Sequence, residues 1–337
     1  MQVMKILLLI LLTYFSLKNI NSQDPHFTQF YNSPLYLNSA FTGANINYRI
    51  NLVGRNQWWN IPGMYNTLLF SIDYYMHKYK SATGLLIISD LAGSMNYGIN
   101  YFSLLYSYKV KLNYKWSVNL GVKPSIGYSK IDQNKLIFGD QIIRNSPTSM
   151  TTLPQMVKMF FDFGFGAVLY AWHHSIGISF EHINRPNYSF LQNVAKLPIK
   201  VVFHAKRTFF FNKSARLNKR INEPVLVALL QYKFQEKFDQ FDISLIRKTP
   251  NYLVGVGYRG IPFLKAYKKG YPNNDALIFI IGYTFKNFEI TYSYDFTVSW
   301  LTYKTGGSNE ISITYLFKYD EQEKRKLPKV IPCPKYQ

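Results

Sequence analysis

Few residues in this 337-residue chain combine the type and spacing that catalysis or metal binding needs. His173-His174 is the densest imidazole pair, but adjacent residues on a strand point to opposite faces, which suits no single metal. His182 follows Glu181 at the end of a strand-like run. The one cysteine, Cys333, can form no internal disulfide and reads as a tail thiol, inert or open to a mixed disulfide. The chain has no Gly-x-Ser-x-Gly elbow, His-Glu-x-x-His helix, phosphate-binding glycine loop or Cys-x-x-Cys pair. The reading is therefore of no enzyme, no cofactor and no metal. The polar residues that stand out are Arg259, Asp275, Asp295 and Glu310, with Arg55 beside them if the chain closes on itself. Their chemistry is ion pairing, because an unpaired charge away from water is costly. Two readings stay open: a structural network that plugs an interior, or a ligand site.

The elements that must position these charges are β-strands. From Glu289 onward, Ile290, Tyr292, Tyr294, Phe296 and Val298 alternate with Thr291, Ser293, Asp295, Thr297 and Ser299. After Lys304–Ser308 the alternation resumes with Ile311, Ile313, Tyr315 and Phe317. A period of two with one apolar face means strands with one greasy side. Aromatics make up 18% of residues and charged residues only 17%, and no internal run approaches the ~20 apolar residues of a spanning helix. That combination predicts an all-β transmembrane antiparallel barrel of about 14 strands. Lys123, Asp162, Arg259 and Asp295 fall on the face opposite the aromatics, as a polar lumen requires.

The N-terminus fits export. Lys5 precedes the apolar run Ile6–Leu12, and a polar exit ends at Ser22, so residues 1–22 read as a signal peptide. Residues 23–45 read as a lead-in tucked into or under the barrel, residues 46–319 as the barrel, and residues 320–337 as a basic periplasmic tail. The net charge of +21 would suit nucleic acid, but an exported chain has little access to it. Anionic lipid headgroups or an acidic protein partner fit better. With both termini periplasmic, the outer connections are 55–64, 91–96, 130–157, 183–198, 235–237, 261–274 and 298–308. Lys213, Arg216, Lys219 and Arg220 then crowd a periplasmic turn, and Lys324, Arg325 and Lys326 join them in the tail. This basic ring meets either lipid headgroups or an acidic periplasmic protein.

A run of fragments in order gives the chain a family likeness. They are Gln23–Phe27, Asn32–Asn38, Arg55–Trp58, Phe138–Ile142, Phe238–Asp242, Tyr258–Phe263, Asp275–Leu277, Tyr292–Phe296, Gly306–Ser312 and Ile331–Lys335. The chain resembles the PorP/SprF family of outer-membrane proteins, associated with type IX secretion and gliding motility in Bacteroidota. Ser39, Trp59 and Asn309 depart from the family's usual residues. The resemblance implies a non-enzymatic outer-membrane barrel that assists secretion or surface anchoring of cargo bearing a C-terminal sorting domain. It also implies a periplasmic partner, either a type IX component or a peptidoglycan-linked protein. Candidates for an outer partner surface are Trp58, Trp59 and Met64 in the first loop, Phe138 and Asp140 in the third, and Trp300 in the seventh. Trp300 is equally readable as part of the interfacial aromatic girdle. The lumenal charges also permit a passive porin or small-solute transporter.

Overall fold

Period-two alternation along nearly the whole chain leaves one way to satisfy every backbone group in lipid, which is a closed antiparallel wall. The computed structural model has that form. It describes residues 24–45, 48–93, 97–132, 136–147, 149–150, 156–171, 173–190, 194–211, 224–268, 271–298 and 302–317. The expected leader 1–22 and tail 320–337, with Lys324, Arg325, Lys326 and Cys333, lie outside the described residues. So do Lys213, Arg216, Lys219, Arg220 and Trp300.

The first seven strands are β1 (Arg49–Gln57), β2 (Tyr65–Met76), β3 (Ser81–Ala92), β4 (Tyr97–Lys111), β5 (Ser117–Lys130), β6 (Val157–Tyr170) and β7 (His174–Glu181). The others are β8 (Lys200–Phe210), β9 (Val225–Gln235), β10 (Phe238–Lys248), β11 (Tyr252–Lys268), β12 (Tyr271–Phe285), β13 (Phe288–Thr297) and β14 (Ser308–Leu316). Each pairs with its sequence neighbour, and β1 closes on β14 through Arg49↔Leu316 to Gln57↔Ser308. Connections are mostly long at one end and mostly short at the other, the exceptions being 236–237 and 269–270 at the first end and 211–224 at the second. In transmembrane barrels the long ones face outward, so the long-loop end is taken as the outer mouth. Outward side chains are apolar and exposed, among them Phe102, Phe203, Phe279 and Phe296.

Two parts of the wall depart from the expected connections. The sixth outer connection, expected over 261–274, is strand for most of its length, since β11 continues to Lys268 and β12 begins at Tyr271. Register shifts at Arg259/Gly260 and beyond, with Gly260 at φ 139°, bend this hairpin and hide its alternation from the sequence. Arg55 lies in β1 and not in a loop, with Glu310 directly across on β14.

The lumen is filled by residues 24–45. This lead-in enters beside the outer ends of β7–β9 and descends through three short helical turns at Phe30–Asn32, Pro34–Leu37 and Ser39–Phe41. It joins β1 at the short-turn end. Phe30, Leu37, Ala40 and Phe41 pack against Val168, Val202, Leu229 and Ile278, while Phe27 and Leu35 pack against Val53, Leu69, Leu86 and Leu105. The turn at Ser39–Ala40 runs so close to the wall that a Cβ on Gly121 or Gly166 would strike Ala40 or Asn38. These inward glycines on β5 and β6 are the notch that receives it.

Candidate functional site

The wall and the lead-in meet at three polar stations. In the uppermost, Arg55 reaches Asp295 at 2.8 Å and Glu310 at 3.1 Å, and Arg259 reaches Asp242 at 2.7 Å and Asp295 at 2.9 Å. All five side chains are buried. Thr28 of the lead-in sits between the arginines. Its hydroxyl donates to Asp295 at 2.7 Å and accepts from Arg55 at 2.6 Å and Arg259 at 2.9 Å. One donor and two acceptor sites is the full capacity of a hydroxyl. Glu310 accepts the backbone N–H groups of Thr28 and Gln29 at 2.7 and 2.8 Å. Gln29 and Asn32 continue downward onto Ser293 and Ser312. His26 accepts from Arg55 at 3.1 Å; burial, reinforced by Arg55 and Arg259, pushes its imidazole well below the usual range, so it is neutral.

The second station lies across the mouth and was not legible as a set in the sequence. His182, just past the end of β7, donates from Nδ1 to Asp162 at 2.8 Å and from Nε2 to Asp24 at 2.9 Å. Burial works against the charged imidazole, but the two carboxylates outweigh it and lift its pKa to about 9. Asp24 also accepts from Lys200 at 2.6 Å. Burial alone would raise its carboxyl, yet His182 and Lys200 hold it well below the usual carboxylate range. Lys123 pairs with Glu181, and Tyr36 lies under the Lys200 ammonium.

The third station is at the short-turn end. Arg49 pairs with Asp73 at 2.8 Å, and Asp73 also accepts the backbone N–H of Gly43 at 2.7 Å. Asn38 donates to the wall carbonyls of Ile178 and Ala167, and Ser179, Asn119 and Ser107 donate to the lead-in carbonyls of Leu37, Ala40 and Thr42. The segment is thus bonded to the wall along its length.

The structure brings Arg55, Arg259, Asp295 and Glu310 into one network. Asp275 stands at its edge, 3.8 Å from Arg259, with its side chain 46% exposed at the mouth. Sequence reasoning missed Asp242, Thr28 and Asp24 as partners, because their bonds span up to hundreds of residues of chain. The expected outer surface residues divide in two. Trp58 and Trp59 pack with the seventh loop, through Trp58 N–H to Gly307 and Trp59 Nε1 to Gly306, and Met64 is exposed beside them. Phe138 and Asp140 belong to the third loop, where Asp140 lies in the first turn of the short helix Gly139–Arg144 and accepts from Arg144, Ser149 and the N–H of Met150. These hydrogen bonds, led by the Met150 N–H, hold the Asp140 carboxyl down at about 2.

Little open volume remains inside. Two cavities beside the lead-in are about 20 Å³ each, the scale of a single water. A larger one, about 270 Å³, opens at the mouth between Trp58, Lys200, Lys233, Gln240, Asn273 and Asp275. Among the described residues no group of three His, Cys, Asp or Glu side chains is arranged to hold a metal.

Known proteins resemble this chain at two levels. No curated protein matches it in sequence. Solved structures that are similar in architecture include a CymD monoaromatic hydrocarbon channel, with 10% identity, TM-score 0.47, and 89% of this chain and 95% of that one covered. The P. putida toluene transporter TodX gives 11%, 0.47, 86% and 95%, and a KdgM porin gives 10%, 0.36, 80% and 99%. The family described as "Type IX secretion system membrane protein PorP/SprF" matches residues 19–315. The chain belongs to that family, and its barrel is one of the outer membrane.

Proposed function

We propose that this barrel is a surface anchor of the type IX secretion system. It holds, or assists the release of, secreted cargo bearing a C-terminal sorting domain, and does not conduct solute. The observation that carries this reading is the lead-in. Its residues 24–45 are fastened to the wall at three buried polar stations; two cavities beside it are the size of one water, and a third, of about 270 Å³ next to Asp24 and His26, lies at the mouth. A lumen occupied in this way has no width for a folded protein. The useful surfaces are then the rim and the short-turn end. On this reading Trp58, Trp59, Met64, Phe138, Asp140 and Trp300 belong to the outer contact, and Lys213, Arg216, Lys219, Arg220, Lys324, Arg325 and Lys326 to a contact with an acidic periplasmic protein.

Deleting the gene and taking a census of surface proteins tests the anchor. Selective loss of one or a few secreted proteins is expected, and an unchanged surface would refute it. Reversing Lys213, Arg216, Lys219 and Arg220 to Glu tests the periplasmic contact, where unchanged recovery of partner would refute docking through that turn.

A further inference from the structure

The barrel wall is uneven at the mouth. The strand β6 pairs with β5 along its full length, from Val157↔Lys130 to Tyr170↔Ser117, but with β7 only from Phe165↔Phe180 to Tyr170↔Ser175. Among the described residues, no strand pairs with the outer half of β6 on its β7 side. The ten residues from Phe161 to Tyr170 already match the 9–11 of a spanning strand, so the unpaired stretch stands at or above the outer interface. Met159 and Phe161 are 64% and 75% exposed.

The cause of the gap is visible in the chain. His182 adopts φ 58° and turns its imidazole inward to Asp24 and Asp162, and Arg185 follows at φ 46°. These left-handed residues carry the chain off the sheet. The loop beyond leans inward, where Phe190 packs on Tyr97 of β4 at 6.1 Å. Two groups stay on this edge: the Ile183 N–H, which donates to the Phe163 carbonyl at 3.0 Å, and the side chain of Asn184. Asn184 donates from Nδ2 to the Phe161 carbonyl at 2.7 Å and accepts the Phe163 N–H at 3.1 Å. An amide giving and taking these two bonds stands where the peptide group of a neighbouring strand would stand. Beyond it the edge groups of Met159 and Val157 continue outward. Lys130 lies directly across from Val157, Lys158 is its neighbour on β6, and Arg185 is exposed beside Asn184.

We propose that the outer edge of β6, from Val157 to Phe161, is the seat for an added β-strand from the secreted partner, with Asn184 as the displaceable stand-in. An unpaired strand edge is a template for another strand, and the flanking cations select an incoming segment that carries acidic residues. The identity of the occupant rests on the anchor reading above; the edge geometry does not.

The first arm of the test places a photo-crosslinking phenylalanine analogue at Phe161 or Met159 in the intact protein in cells, with Phe279 and Tyr292 as outward-facing controls. Adducts are expected from 159 and 161 to an alternating, acid-bearing segment of the secreted protein that gene deletion removes from the surface, and not from the controls. Equal adducts at the controls, adducts to lipid alone, or adducts to a second copy of this chain would each overturn the proposal. The second arm is the double variant V157P/M159P. The odd-numbered N–H groups of β6 point away from β5, so proline there blocks the edge and spares the wall. Retention of the surface protein is expected to fall at least tenfold, with the heat-resistant electrophoretic band of the folded barrel unchanged. Normal retention in this variant, with loss on gene deletion, refutes the edge and leaves the anchor standing. No loss on deletion refutes the anchor instead. Should the proline variant fail to fold, the conservative replacement at Phe161 still decides the edge.

Discussion

Thr28→Val removes one oxygen and leaves a side chain of nearly the same shape, so it isolates what that hydroxyl does. The atom lost donates to Asp295 and accepts from Arg55 and Arg259, all of them buried. A buried hydrogen bond to a charged group contributes about 1.5–3 kcal/mol. The three do not sum, because Asp295 keeps both arginines and Arg55 keeps Glu310. What remains is a guanidinium N–H on each arginine facing a methyl group, for a total of about 3 kcal/mol. The assay is urea unfolding of the purified barrel in detergent, followed by loss of the heat-resistant band and extrapolated linearly to water. Thr28→Ser keeps the hydroxyl and should stay within about 1 kcal/mol of the parent. A Thr28→Val loss below about 1 kcal/mol, or an equal loss in both variants, would refute the idea that this hydroxyl joins lead-in to wall.

Three further outcomes follow from the other stations. The folded pKa of His182, about 9, lies above the ~6.5 of an unfolded imidazole. Its contribution to stability is complete below about pH 6.5 and is lost as pH rises through 9; the urea midpoint should decline over that window in the parent and not in His182→Gln. Gly166→Ala would drive a methyl group into Asn38, costing about 1–3 kcal/mol by overpacking, whereas Gly54→Ala, with open space around it, should unfold like the parent. Arg49→Met leaves Asp73 buried with only the Gly43 N–H and the wall around it, so it should cost about 3–5 kcal/mol, and Arg49→Met with Asp73→Leu should recover most of that.

The wall was legible because lipid on one side and a polar lumen on the other impose a period of two on every strand. The strands β2 and β13 meet the mouth at Tyr65 and Thr297, where the expected connections 55–64 and 298–308 place them, and apart from the β11–β12 hairpin the other outer ends fall within a few residues of the expected connections. The lead-in could be placed as a tucked segment from its aromatics, but not its bonds. Thr28 meets Asp295 across 267 residues of chain, and nothing local to either encodes the other. His182 looked like a strand end because its left-handed backbone and its partners Asp24 and Asp162 are properties of the closed barrel alone. The long β11–β12 hairpin was hidden by Gly260, Pro262 and Pro272, which interrupt alternation without ending the strands. Asp275, grouped with the buried charges by strand position, alternates with the buried Ala276 and Ile278 beside the register shift at Arg259/Gly260, and its side chain stays 46% exposed.

The central claim is that residues 24–45 close this barrel, and single-channel recording in planar bilayers addresses it directly. The intact protein is expected to give no steady conductance, and a variant lacking residues 24–45 behind the same leader is expected to give open, stepwise channels. Steady ion-selective channels from the intact protein would contradict a closed anchor and favour a porin.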